Sequence, residues 1–252
     1  MSFEIPLEPL AAALLGSLRA GMVLFLLPLL GGESVPVLVR LALSFVFGFL
    51  LAPTPGVEVP EHWVGWVLAS GRELMIGALL GFLSWTFLSA PHLAGDIVAQ
   101  ELGLRLAQEV DPNTRVPSTA LGRIYQASLL LVFLAVHGHH DVLRALHASF
   151  RSFPLGELTL PAAGREVVQS VGLLIRHSLM IVAPLFVVLL TGSLIMALLA
   201  KSVPQLNIMV FGYPLRLLGG LLVAILLFPL AVRPALSVLV TMKRSLVALV
   251  GV

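Results

Sequence analysis

Three groups of side chains in this 252-residue chain have types and spacing that could do chemistry. The first is the run His137-Gly138-His139-His140-Asp141. Imidazole nitrogens and a carboxylate can ligate zinc. No second ligand cluster supports such a site, because His62, His92, His147 and His177 stand isolated, so no metal is expected. The run reads instead as a helix end facing lipid head groups or a neighbouring subunit. The second group is the carboxylates Glu73, Asp96 and Glu101 in apolar surroundings. Carboxylates at membrane depth relay protons, or pair with arginines of the same chain or of a partner. The third is Arg19, inside the first apolar stretch, where a cation must face protein or water. Packing against a carboxylate is its structural reading, and an inward-facing contact its functional one. There is no G-x-S-x-G, H-E-x-x-H, Walker A or G-x-G-x-x-G pattern. Nucleophilic, zinc-hydrolytic and ATP-driven enzymes therefore gain no support; no enzymatic activity and no cofactor are expected.

The elements that must position these groups are apolar almost throughout. The chain is 58% hydrophobic and 11% charged, with mean hydropathy +1.04. Soluble domains carry about 25% charged residues, so an all-α integral membrane protein follows. A net charge of +2 with an isoelectric point near 9.5 comes with no basic patch or interleaved aromatics, so nucleic acid is not an expected partner. Without cysteine there is no disulfide and no thiolate site. The first ten residues carry Glu4 and Glu8 and no basic region, so the first apolar segment is expected to stay in the mature chain. Apolar stretches run over Leu10–Leu30, Pro36–Ala52, Trp63–Ala90, Ile124–Val136, Leu143–Phe153, Val167–Leu199, Ile208–Val232 and Pro234–Val252. They predict about six to seven helical segments interrupted by Pro and Gly. A break or kink is expected at Pro184 and Gly192, and distortions at Tyr213-Pro214 and Gly219-Gly220. Gly77 and Gly81 form a small-xxx-small pair that permits close helix approach.

Asp96–Arg123 stands apart. It holds seven charged side chains in 28 residues, against 15 basic and 13 acidic in the whole chain. Glu101, Arg105 and Glu109 share an i, i+4 face and predict a helix up to Asp111-Pro112-Asn113-Thr114, which stops it. Ser118 or Thr119 is suited to cap the next helix.

In order along the chain, Arg72–Phe82 (REL-IGALLGF), Ala94–Leu104 (AG-x4-QELGL), Val110–Pro112 (VDP), Leu134–His140 (LAVHGHH), Ser149–Gly156 (SF-x2-PLG) and Lys201–Leu215 (K-x2-PQLNI-x3-GYPL) resemble the FliR/SctT family of export-gate subunits. Where family members often carry a Gln-Met-Gly triplet, this chain has Gln100-Glu101-Leu102-Gly103. GYPL is closer to the flagellar than to the injectisome pattern.

The resemblance implies a core subunit of the flagellar type III export gate, multi-pass in the bacterial inner membrane within the basal body. Such a subunit assembles with FliP-like and FliQ-like subunits around a path for unfolded protein substrates, in contact with membrane lipid. It implies a FliP-like part over 1–165 and a FliQ-like C-terminal hairpin over 166–252. A channel plug falls on Gln108, Glu109, Val110, Asp111, Pro112, Asn113, Thr114, Arg115, Val116 and Pro117. Lys201, Pro204, Gln205 and Asn207 lie at the hairpin turn, facing an FlhB-like gate component. Arg72, Glu73, Asp96 and Glu101 become inter-subunit charges. The alternatives are the injectisome counterpart and, from another class, a proton-coupled secondary transporter using Asp96 and Glu73.

Overall fold

A computed structural model describes residues 7–30, 35–52, 60, 62–104, 119–156, 164–202 and 208–251. Its helices are α1 (Leu7–Leu26), α2 (Val37–Leu51), α3 (Trp63–Glu101), α4 (Ala120–Ala135), α5 (Gly138–Ser152), α6 (Gly164–Ser202), α7 (Ile208–Leu227) and α8 (Val232–Val250). A 3-10 turn, Phe228–Ala231, joins the last two. Glu8–Leu26, Trp63–Glu101, Gly164–Ser202 and Gly212–Val250 are each long and apolar enough to cross a membrane, and α4 with α5 forms a broken fifth candidate. The chain is thus an all-α, multi-pass membrane protein.

Helix ends differ from expectation where local chemistry overrules hydropathy. α1 stops at Leu26 rather than Leu30, because Pro28 disfavours helical backbone at Leu27. α3 does not end at Ala90 but continues through Pro91. Pro91 has no N–H to give the Phe87 carbonyl one turn back, and beside it the buried Ser178 hydroxyl donates to the Ala90 carbonyl at 2.9 Å. α3 then stops earlier than the Asp111-Pro112-Asn113-Thr114 signal. Gly103 adopts φ 76°, and the amides of Gly103 and Leu104 donate to Gln100 and Ala99 at 3.0 and 2.9 Å. This is a glycine-terminated helix end with the two reversed bonds of a Schellman motif. The helix that begins at Trp63 therefore ends at Glu101; Arg105 and Glu109 lie outside the described residues. Helical structure also persists through Pro184 and Gly192 in α6, and through Pro214 and Gly219-Gly220 in α7.

Packing divides the chain into two compact units. One comprises Met1–Phe87, Phe133–Gly172 and Leu239–Val252; the other comprises Leu88–Val132 and Leu173–Val238.

In the first unit α1 and α2 form the expected antiparallel hairpin, with Gly16 against Gly48 and Gly21 against Ser44. Gly77 and Gly81 of α3 find their partner in α1, against Arg19, Met22 and Leu26. α5 is amphipathic. Val142, Ala145, Leu146, Ser149 and Phe150 are buried at helical spacing. His137, at φ 58°, turns the chain between α4 and α5, and Gly138 follows because the Phe133 ring occupies the place of a Cβ.

In the second unit α3 and α4 cross at Gly95 and Gly122, where a Cβ on Gly95 would lie 2.7 Å from the Gly122 Cα. α6 and α7 keep much of their apolar surface outward. Leu194, Leu198, Leu218, Leu222 and Ile225 are all exposed. Only 22% of the most apolar window of Gly164–Ser202 is buried, and 11% of that in Gly212–Val250. Such faces require lipid or protein cover.

Candidate functional site

Two polar constellations stand out, one in each unit. The first is a buried charge cluster. Arg19 and Glu73 are both fully buried, and Arg72 is only 4% exposed. The Arg19 Nε and Nη2 both approach Glu73 Oε2 at 2.6 Å. Arg72 Nη1 donates to Glu73 Oε1 at 2.9 Å. Two cations and one anion leave an excess positive charge, and the end of α5 absorbs it. Arg19 Nη1 donates to the Ser149 carbonyl (2.8 Å) and hydroxyl (3.1 Å), and Nη2 to the Phe153 carbonyl at 2.9 Å. Arg72 Nη1 donates to the Pro154 carbonyl at 2.8 Å. A helix C-terminus carries unpaired carbonyls and partial negative charge, so it is a natural seat for guanidinium. The Phe150 ring lies under Arg19, 4.4 Å from Cζ to the ring centroid. Arg19 and the Glu73 carboxylate thereby tie α1, α3 and α5 together.

The second constellation lies where the described chain leaves α3 and re-enters α4, at Leu104 and Thr119. On the departing side, Arg216 Nη2 of α7 donates to Glu101 Oε2 at 2.9 Å. The Tyr213 hydroxyl donates to the Gly103 carbonyl at 3.2 Å. Leu102 packs onto Gly220, where any Cβ would collide with it. On the returning side, the Thr119 hydroxyl donates to Asp96 Oδ1 at 2.6 Å and accepts from the Gly122 amide at 3.0 Å. Thr119 is therefore the helix cap that sequence offered as one of two choices. Asp96 also faces His92, 3.7 Å away. The described residues on either side of 105–118 are thus held within one unit. Thr119→Ala removes the cap and the hydroxyl's bond to Asp96 together. It is expected to cost about 0.5–2 kcal/mol, read as a lower thermal midpoint in detergent, while Thr119→Ser retains most of the stability. An unchanged midpoint for Thr119→Ala would refute the capping role.

The model of the family described as "Bacterial export proteins, family 1" matches residues 10–242. The chain belongs to this export-protein family. It is 34% identical to the flagellar biosynthetic protein FliR of Escherichia coli (strain K12), over 81% of this chain and 78% of the relative. It is 28% identical to FliR of Bacillus subtilis (strain 168), over 96% of each. FliR of Aquifex aeolicus (strain VF5) is 28% identical over 88% of this chain and 87% of its own.

For this export-family chain the sequence-predicted residues fall as follows. Arg72 and Glu73 are buried inside the chain, with Glu73 paired to both Arg19 and Arg72. Glu101 pairs with Arg216, and Asp96 with Thr119 and His92. The reason is geometric, since α1, α4, α5 and α7 bring the counter-groups that a single helix lacks. Gln108 to Pro117, and Pro204, Gln205 and Asn207, lie outside the described residues. Lys201 is exposed in the last turn of α6. Among the described residues no group of three or more His, Asp or Glu side chains is arranged to hold a metal. His137, His139 and His140 are ring neighbours instead, with His139 and His140 centroids 4.3 Å apart, and Asp141 turns to Lys243 at 3.0 Å. Sequence reasoning overlooked Arg216. It is the one charged residue between Lys201 and Arg233, three residues after Tyr213 on the same helix, and that isolation was the available signal.

Proposed function

We propose that this chain is a core subunit of the flagellar protein export gate and that Gln108–Pro117 plugs its closed pore. Membership of the export-protein family, with relatives that are flagellar biosynthetic proteins, supports the apparatus. The carrying observation for the plug is the double fastening of the 105–118 segment, by Glu101–Arg216 and Tyr213–Gly103 at one end and Asp96–Thr119 at the other. A charged segment held at both ends by membrane-grade helices needs an aqueous surrounding, and a protein channel supplies one. In this reading unfolded flagellar proteins cross the inner membrane along a path shared with FliP-like and FliQ-like subunits. The exposed apolar faces of α6 and α7 suit such neighbours, as a FliQ-like hairpin over 166–252 would. The turn at Lys201, Pro204, Gln205 and Asn207 meets an FlhB-like component.

Deleting Gln108–Pro117 is expected to leave the complex assembled while opening the membrane to small ions, measured as conductance in planar bilayers. Unchanged conductance in an assembled complex would refute the plug. The flagellar machine is favoured over the injectisome because the relatives at 34% and 28% identity are flagellar proteins. A proton-coupled transporter draws nothing from Glu73, whose carboxylate is enclosed by Arg19 and Arg72 and fully buried.

A further inference from the structure

The outer face of α5 has no part in either constellation. His140, Arg144, His147 and Arg151 are all exposed and follow one another at i, i+4, i+7 and i+11. Asp141 is the only acid on α5, and α8 has none. The two helices run side by side in the same unit. Lys243 meets Asp141 near one end, and the Ser152 hydroxyl donates to the Val250 carbonyl at the other. Between them lies a groove of about 210 Å³ whose wall includes Asp141, Arg144, Ala145, Lys243, Leu246 and Val247.

The groove has two chemically different parts. At its mouth, Lys243 Nζ and Arg144 Nη1 approach one Asp141 oxygen at 3.0 and 3.8 Å. Asp141 engages one nitrogen of each cation, and an arginine carries five N–H donors and a lysine three. Arg144 and Lys243 are 77% and 54% exposed, so these further donors face outward. Two cations and one carboxylate leave one positive charge, matched to one phosphodiester. The floor is apolar and small-sided, with Ala145 and Ala148 on α5 and Leu246, Val247 and Val250 on α8. A free anion has no use for that floor, and an acidic peptide would have to leave its backbone amides and carbonyls unpaired there. A charged head joined to an apolar tail satisfies both parts.

We propose that the α5–α8 groove holds one anionic glycerophospholipid, its phosphodiester between Arg144 and Lys243 and an acyl chain along Ala145, Ala148, Leu246 and Val247. The site fits the membrane location of the chain, and Arg151 extends the attraction to anionic head groups around it.

The test uses the full chain in the complex extracted from membranes, with phosphatidylglycerol titrated in detergent and bound lipid counted by native mass spectrometry. Arg144→Gln with Lys243→Gln should weaken phosphatidylglycerol binding about tenfold or more. Ala148→Leu, which fills the floor and keeps every charge, should weaken it comparably, and Arg144→Lys should preserve it. Any of four results would overturn the proposal: the double Gln variant keeps the lipid as tightly as the parent; phosphatidylethanolamine binds equally well; inorganic phosphate displaces the lipid, marking a free-anion site; or the double variant sheds a protein subunit while keeping its lipid, marking a protein-docking face.

Discussion

Glu73→Ala is expected to destabilise the protein by about 3–5 kcal/mol, the cost of removing one member of a buried ionic cluster. Hydrogen bonds between spanning helices average only about 0.6 kcal/mol, because helices separated in a membrane find other partners. The larger figure governs here because truncation leaves two guanidiniums, Arg19 fully buried and Arg72 nearly so, without their shared counter-ion. The carbonyls of Ser149, Phe153 and Pro154 continue to accept hydrogen bonds from them, but carbonyl dipoles do not neutralise two full charges. Glu73→Gln, which keeps the shape and one acceptor, should lie between the parent and alanine. The measurement is the thermal midpoint in detergent, with Arg165→Ala on the exposed start of α6 as reference. A Glu73→Ala midpoint equal to that of Arg165→Ala would show that the cluster contributes nothing. Arg19→Ala and Glu73→Ala should also be strongly non-additive, since both truncations remove the same Arg19–Glu73 ion pair.

The fate of these charges shows what the sequence could and could not disclose. Hydropathy identified the apolar stretches, and residue type identified Arg19 as a cation in need of a carboxylate. Which carboxylate was beyond local pattern, because Arg19 and Glu73 are separated by 54 residues. Their meeting depends on the crossing of α1 and α3, permitted by Gly77 and Gly81. The small-residue pair was legible; its partner helix was not. Likewise Gly103 stood within a recognised motif, yet the charge ladder of Glu101, Arg105 and Glu109 favoured a longer helix. A glycine in the left-handed region and contacts from α7 ended it. Isolated helix pairing is worth only about 0.2–0.5 kcal/mol, too little to override a glycine-terminated end locked by Tyr213 and Arg216. Helical structure runs on through Pro184 and Pro214 for the opposite reason. Sequence rules price a proline in water, whereas a helix surrounded by protein and lipid has no competing solvent to accept its backbone groups. The phospholipid groove joins α5 to α8 across more than 90 residues, as the Ser152–Val250 bond does, so no local pattern announced it.

The glycine crossings yield the second large effect. Gly48→Ala and Gly77→Ala should each destabilise the protein, although alanine is favoured over glycine by about 1 kcal/mol inside a helix. A Cβ on Gly48 collides with the backbone of Gly16 and Ser17, and one on Gly77 with the carbonyl of Arg19. Backbone cannot swing aside as a side chain can, so the helices must separate. Overpacking of this kind costs about 1–3 kcal/mol or more, which exceeds the propensity gain. Gly172→Ala and Gly219→Ala make the contrast, because nothing lies within 4 Å of a Cβ at either position. Those two should be neutral or slightly stabilising in the same thermal measurement. If all four substitutions behaved alike, helix propensity alone would explain them and the close crossings would be irrelevant. Gly77→Ala carries a further consequence, since pushing α1 from α3 also pulls Arg19 from Glu73. Its effect should therefore shrink when Glu73 is already alanine, whereas the effect of Gly48→Ala should not. That difference separates a general loss of packing from a specific opening of the charge cluster.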